Sequence, residues 1–168
     1  MTTVTAWIGL GANLDRPFQR VARALAGLGD LPATRCTAAS RVWRSPPMGP
    51  PDQPEFANAV ARVETALGPA ELLAALHEQE AAAGRVRAER WGPRTLDLDL
   101  LLYADQASDD PALRLPHPGV WDRDFVLHPL AEIDPDLILP GGRPLREQLA
   151  RVPAGAGLQP VAEEAIHG

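Results

Sequence analysis

Arg90-Trp91-Gly92-Pro93-Arg94-Thr95-Leu96-Asp97-Leu98-Asp99-Leu100-Leu101-Leu102 divides at Gly92-Pro93. The glycine and proline end whatever precedes them, and the residues that follow read as a buried strand. Two aspartates stand in it where apolar residues would fit. Successive strand side chains alternate between faces, so Asp97 and Asp99 share one face and Leu96, Leu98 and Leu100 the other. Neighbouring carboxylates repel one another unless cations lie beside them. Arginines just upstream and divalent metal ions are the candidates, and a site that handles polyphosphate needs both.

The rest of the chain arranges itself around this strand. Residues 4–11 are apolar and read as a first strand, from which Gly9-Leu10-Gly11-Ala12-Asn13-Leu14 turns away. The Gly-x-Gly lacks the third glycine of a dinucleotide fingerprint, so a plain strand-to-helix turn is the expectation. Pro17 opens a helix in which Phe18, Val21, Ala22, Leu25 and Leu28 follow helical spacing up to Gly29. Residues 34–44 suggest a second strand. The proline-rich loop 45–54 has a rigid course and can be neither helix nor central strand. In the third strand, residues 56–64, Phe56, Asn58, Val60 and Arg62 lie on one face and Ala57, Ala59, Ala61 and Val63 on the other. Pro69 begins a second helix, with Leu72, Leu73 and Leu76 on its apolar side and Gly84 at its end.

After the aspartate strand, residues 104–110 read as a polar turn and 112–115 as a short extended piece. A helix is expected over 121–133, a turn-rich stretch over 135–144 and a short helix over 145–152. From Pro153 onward a loose tail is expected, and residues 1–168 are read as one domain. The coarse order is β-α-β-β-α-β followed by a C-terminal extension. That is the order of a ferredoxin-like α+β sandwich built on an antiparallel sheet, with helices over one face and the other free to carry a site.

Composition narrows the chemistry. The chain has 168 residues, 45% of them hydrophobic, and a net charge of -6, which argues against a general nucleic-acid binder. All 16 of its lysine-or-arginine positions are arginine. A Walker-type lysine and Schiff-base chemistry are therefore excluded, while arginine still binds phosphate through its planar fork. Cys36 is the single cysteine, so neither an intramolecular disulfide nor a cysteine zinc site can form. The N-terminus lacks the pattern of a signal peptide, and no apolar run reaches membrane-spanning length. A cytoplasmic protein is expected, monomeric and without membrane or nucleic-acid partners. At this length no second enzyme is expected to be fused to it.

Asp97 and Asp99 can be read as a solvated strand face, but aspartate disfavours strands, and magnesium binding accounts for both. Magnesium takes one or two carboxylates plus substrate phosphates and keeps several waters. Arg85, Arg87, Arg90 and Arg94 crowd the residues just before the pair. Alone they read as a charged loop; beside two carboxylates they read as a clamp on polyphosphate. Asn58 offers donors and an acceptor that suit a heterocycle edge or a neighbouring loop. His117, between two prolines, has a fixed backbone. Trp91 and Phe125 fit either a core or a cover over a planar substrate.

Arg90 to Leu101 resembles the signature of the 6-hydroxymethyl-7,8-dihydropterin pyrophosphokinase family of the folate pathway. Further segments resemble the family in order and at its spacing: Ile8-Gly9-Leu10-Gly11-Ala12-Asn13-Leu14, Arg44-Ser45-Pro46-Pro47-Met48-Gly49, Asp52-Gln53-Pro54-Glu55-Phe56-Ala57-Asn58, Pro116-His117-Pro118, and 123–133. The resemblance covers roughly residues 4–150. It implies an α-β-α form of the ferredoxin-like fold and transfer of pyrophosphate from the co-substrate ATP to the pterin hydroxymethyl, releasing AMP. It implies that Asp97 and Asp99 hold two magnesium ions and that Arg85 and Arg94 stabilise the transferring group. Arg87 and Arg90 would belong to a mobile loop on the ATP side, with Trp91 closing over the site. Asn58 would read the pterin edge, Phe56 and Phe125 would sandwich its ring, and Ser45, Pro46 and Met48 would line it. His77, Glu80, Leu98, His117 and Arg123 would lie on the nucleotide side. Arg114 would serve there too, two residues from the family's usual arginine.

Two other classes fit parts of the pattern. A metal-dependent phosphodiesterase also pairs aspartates with arginines, but would not need the proline-fixed loop with Asn58 and two aromatics. RNA-recognition domains share the strand order, yet place aromatics where this chain has carboxylates, which would repel a phosphate backbone.

Overall fold

The computed structural model describes residues 2–14, 16–46, 54–83 and 96–167. Its centre is an antiparallel sheet. Strand β1 (Val4–Ala12) lies between β4 (Phe56–Thr65) and β5 (Asp97–Tyr103), and β2 (Thr34–Ala39) and β3 (Trp43–Ser45) both pair with the outer edge of β4. Helices α1 (Pro17–Gly27) and α2 (Pro69–Ala82) connect the strands in the β-α-β-β-α-β order expected. Proline stands at the first turn of both, where its missing N–H has no intrahelical partner to lose. Glu71 accepts the Gly68 N–H at 3.0 Å and so satisfies one free donor at the α2 N-terminus.

The single strand expected over 34–44 is two strands on one line. Between them, Ser40 donates its N–H to the Val60 carbonyl, and its Oγ accepts the Val60 N–H at 3.0 Å. A hydroxyl thus replaces one rung of the ladder, and the edge bends there. A second irregularity falls in β5, where the register against β1 shifts between Trp7 and Ile8. Leu96, Leu98, Leu100 and Tyr103 face α1 and α2, while Leu101 and Leu102 both belong to the opposite core. An extra residue rotates the strand and breaks its alternation.

On the first face, Ile8, Leu10, Ala57, Ala61, Val63, Leu98 and Leu100 pack against Val21, Leu28, Leu72 and Leu76 of the helical layer and the short 3-10 turn after α1. Each fully buried leucine there contributes roughly 2 kcal/mol. The second face is not bare, as the sequence pattern had implied. Helices α3 (Gly119–Asp122), α4 (Asp124–Ile133) and α5 (Leu145–Arg151) cover one end of it, packing Val120, Leu127, Leu130 and Leu145 on Trp7, Val60, Leu101 and Leu102. The family-like α-β-α layering is the observed one.

The helix expected over 121–133 begins at Gly119 and breaks at Arg123, whose backbone is extended at φ -103, ψ 112. Two carboxylates near the end of α4 fasten it to the sheet. Asp134 accepts from Trp7 Nε1 at 2.7 Å and from Arg62 Nη1 at 2.5 Å; Glu132 accepts from the Arg41 backbone and from Trp43 Nε1, each at 2.8 Å. The polar turn 104–110 ends in β6 (Ser108–Asp110), which pairs with β7 (Leu113–Leu115), and the stretch 135–144 holds a small hairpin of β8 (Ile138–Leu139) and β9 (Arg143–Pro144).

The C-terminal segment corrects the expectation of a loose tail. Strand β10 (Gln159–Pro160) pairs with β3, and α6 (Glu163–His167) lies against α1 with Val161 and Ile166 packed on the first core. Its prolines and glycines concealed apolar anchors at Leu158, Val161 and Ile166, too sparsely spaced to show a period.

Candidate active site

Among the described residues, the end of the second face that α3 to α5 leave open is assembled by register. Gly11 of β1 pairs with Asn58 on one side and Asp97 on the other; the next row places Gly9 between Val60 and Asp99. Side chains in such rows share a face, and the outer strands of three stand about 10 Å apart. The two glycines therefore form a low floor between Asn58 and the carboxylates. Both lie inside β1 and not in the turn expected from their Gly-x-Gly pattern, since strand pairing continues to Ala12 on the β4 side. A Cβ on Gly9 would stand 3.1 Å from a Leu101 methyl, so close packing accounts for that glycine. A Cβ on Gly11 would meet Asn58 Oδ1 at 3.5 Å, an ordinary contact, so packing does not require that one.

Asn58 is buried and donates through Nδ2 to Ser45 Oγ at 2.7 Å, with Ser45 itself buried on β3. Phe56 pairs with Ser45 in register and is half-buried on the same face. Pro46 is exposed beside them. Phe125, half-buried on α4, packs against the second core, and the Arg123 guanidinium lies 5.9 Å from its ring centroid.

His117 meets the carboxylate end. Its backbone N–H donates to the Leu101 carbonyl at 2.9 Å, and its Nδ1 accepts the Gly119 N–H at 3.0 Å. The neutral ring thus carries its proton on Nε2, which approaches Asp99 Oδ2 at 3.9 Å. Burial first, and then the Arg123 charge, lower the imidazole pKa to about 4, with Asp122 acting in the opposite sense. At neutral pH the His117–Asp99 approach is therefore between a neutral ring and a carboxylate, not an ion pair.

Other expected nucleotide-side residues fall differently. Glu80 is buried, and its Oε2 accepts the Leu98 N–H at 2.7 Å. This carboxylate braces β5 between the two aspartates; it does not face an open surface. The Leu98 side chain is buried in the first core, so only its backbone is available to a ligand. The carbonyl of a strand residue points to the same side as its N–H, here the edge of β5 away from β1. His77 and Arg114 are exposed, the latter opposite Asp109 in the β6–β7 hairpin. Arg85, Arg87, Arg90, Trp91, Arg94 and Met48 lie outside the described residues.

Among the described residues, no group of three or more His, Cys, Asp or Glu side chains could hold a metal ion. Asp97 and Asp99, both half-buried on one face over a glycine floor, offer carboxylate oxygen donors. That set fits magnesium completed by water and substrate phosphate, and does not fit a closed protein cage.

The family model described as 7,8-dihydro-6-hydroxymethylpterin-pyrophosphokinase (HPPK) matches residues 7–135. The 2-amino-4-hydroxy-6-hydroxymethyldihydropteridine pyrophosphokinase of Pseudomonas aeruginosa is 50% identical over 147 residues, which cover 88% of this chain and 91% of that protein. The enzyme of the same name from Haemophilus influenzae is 44% identical, over 86% of this chain and 90% of its own. In three dimensions the chain is similar to Plasmodium falciparum HPPK-DHPS crystallised with pteroate, at a TM-score of 0.66 and 12% identity; the match covers 89% of this chain and 42% of that one. The chain belongs to the 7,8-dihydro-6-hydroxymethylpterin-pyrophosphokinase family.

Proposed function

We infer that this protein transfers the pyrophosphoryl group of ATP to the hydroxymethyl oxygen of 6-hydroxymethyl-7,8-dihydropterin, forming the pterin diphosphate and AMP in folate biosynthesis. Family membership supports the reaction. The observation that carries the site is the row Asn58–Gly11–Asp97, which sets a heterocycle-reading amide and a metal-binding carboxylate on one floor. The hydroxyl oxygen would attack the β-phosphorus in line, the bond from that phosphorus to the α,β-bridging oxygen would break, and AMP would leave with the electron pair. Magnesium held by Asp97 and Asp99 would supply charge neutralisation to the triphosphate.

The chain's own groups orient the partners. Asn58, fixed by Ser45, addresses the pterin edge between Phe56 and Phe125. Pro46 lies at the margin of that pocket, where Met48 would join it. His117 donates a neutral Nε2–H toward the phosphate side, and Arg123 adds positive charge next to it. Arg85 and Arg94 act on the transferring group, Arg87 and Arg90 on the nucleotide, and Trp91 excludes water by closing over the pterin. The Leu98 carbonyl at the β5 edge is an acceptor for the nucleobase. Asp97 accepts the hydroxyl proton, and positioning carries most of the rate.

The same proposal includes a monomer working in the cytoplasm. Ile138 is the sole large hydrophobic side chain exposed among the described residues, which supports the absence of a large apolar interface. Incubation with ATP, magnesium and the hydroxymethyl pterin tests the reaction. AMP and pterin diphosphate, formed only when all three are present, support it; ADP, or hydrolysis without pterin, overturns it.

A further inference from the structure

The segment that follows α5 runs from the second-face layer, around the sheet edge, to the first-face layer, and it touches the proposed pterin pocket from behind at three places. It lies outside the residues matched by the family model, which end at 135. Its start is held by α4. The Val152 carbonyl accepts from His128 Nε2 at 2.9 Å, and the Gly155 N–H donates to Asp124 Oδ2 at 2.8 Å. Asp124 stands between Arg123 and Phe125, at the first turn of α4. The middle turns at Gly157, whose φ of +90 favours glycine and where a Cβ would stand 3.6 Å from Pro46 Cδ. Leu158 next to it is buried. The end pairs with β3, matching Gln159 with Arg44 and Pro160 with Trp43, and the Val161 N–H donates to the Val42 carbonyl at 2.9 Å.

Glu132 fastens the far end of Phe125's helix to β3 through Trp43, and the strap is the described connection at the end beside Phe125 itself; β3 is short, its three residues ending at Ser45, which holds Asn58. A three-residue edge strand is a weak element unless something covers its outer side. We propose that residues 152–161 form a strap that sets the spacing between the two walls of the pterin pocket, Phe125 on α4 and Ser45–Pro46 on β3, with Asp124 and Gly155 as positioning residues. The strap lies at the β3 edge of the sheet, with β4 and β1 between it and β5, which carries Asp97 and Asp99. Its influence therefore falls on pterin binding more than on ATP binding. This inference rests on the assignment of the pterin pocket made above.

Gly155 gives a direct test, because a Cβ there would stand 3.0 Å from Asp124 Oδ2, tight enough that the carboxylate must give by a few tenths of an ångström. Gly155→Ala crowds the Asp124 carboxylate and strains its bond to the strap without removing either partner. Asp124→Ala removes the acceptor, and Asp124→Asn restores one. Equilibrium titration of the full-length protein with hydroxymethyl pterin and, separately, with a non-hydrolysable ATP analogue plus magnesium reads the two sides. Gly155→Ala and Asp124→Ala are expected to weaken pterin binding roughly tenfold, with nucleotide binding changed less than about twofold and Asp124→Asn close to wild type. Equal pterin affinity in wild type and Gly155→Ala, or equal loss on both sides, overturns the strap. So does an Asp124→Asn variant as weak as Asp124→Ala, which would assign the effect to helix charge. If wild type itself fails to bind the pterin, the pocket assignment is what fails. Thermal unfolding of each variant separates loss of the fold from loss of spacing.

Discussion

The two faces of one sheet are put to different uses by the same strands. On the first face every described position of β1, β4 and β5 near the middle is apolar and buried under α1 and α2. On the second face the strands change character along their length. Trp7, Val60, Leu101 and Leu102 make a core under α3 to α5, and a few residues along, Gly9, Gly11, Asn58, Asp97 and Asp99 leave a polar floor. The comparison teaches where rigidity comes from. A strand bearing two carboxylates loses stability on its polar face and regains it through leucines on the other. The polar floor is held from behind by the leucines of the first core.

This division can be broken from either side. The largest expected effect is on chemistry: Asp97→Ala and Asp99→Ala should each lower turnover on the order of 10³-fold at saturating magnesium, with unfolding midpoints near wild type. Single-turnover AMP formation together with urea unfolding checks both halves. Near wild-type turnover in either variant would remove the metal role. Conversely, Leu98→Ala, on the same strand but the buried face, should cost about 2–5 kcal/mol of stability by leaving a cavity, measured by urea denaturation.

Glu80 sharpens the boundary between the faces. Glu80→Ala would leave the Leu98 N–H unsatisfied in the interior and should cost about 1–3 kcal/mol, whereas Glu80→Gln keeps an acceptor and should cost less. If Glu80→Ala instead raised the KM for ATP at unchanged stability, the carboxylate would belong to the nucleotide site. Gly11→Ala is the complementary case. Its Cβ fits at ordinary contact distance, so stability should stay within about 0.5 kcal/mol of wild type. The methyl would rise from the floor between Asn58 and Asp97, and the KM for pterin should increase several-fold.

The smallest effect concerns His117. Its pKa in the folded chain is about 4, below the unfolded value near 6.5. As pH falls through 6.5 the unfolded chain takes up this proton first, so stability is lost down to about 4 and levels off below it. Proton NMR of the imidazole should show no titration between pH 5.5 and 8; a midpoint near 6.5 would mean that the ring is not buried as described.

Much of this arrangement was legible from local pattern. The alternation in residues 56–64 placed Asn58 opposite Ala57, Ala59 and Ala61, and the observed cores divide the strand in that way. Asp97 and Asp99 were found because carboxylates in a leucine strand violate its propensity. Gly9 and Gly11 were seen but read as a turn, since nothing local reveals that they pair with the aspartates. Glu80 was assigned to the nucleotide because its family position marked it, while its burial against the Leu98 N–H depends on how α2 lies across β5. Tail residues 153–161 looked loose because a strap is anchored by a few separated contacts that have no period.

By itself the sequence determined which faces of the strands are apolar, where prolines and glycines end the elements, and that two carboxylates must share a side. These follow from the two-residue repeat of a strand and the chemistry of single residues. Only the tertiary structure decided that a bulge turns Leu101 and Leu102 into the second core, that glycines form the floor between Asn58 and Asp97, and that the C-terminal segment closes the edge at β3. Those outcomes depend on register and on packing between residues distant along the chain. A periodic pattern within one segment carries no information about which segment will lie beside it.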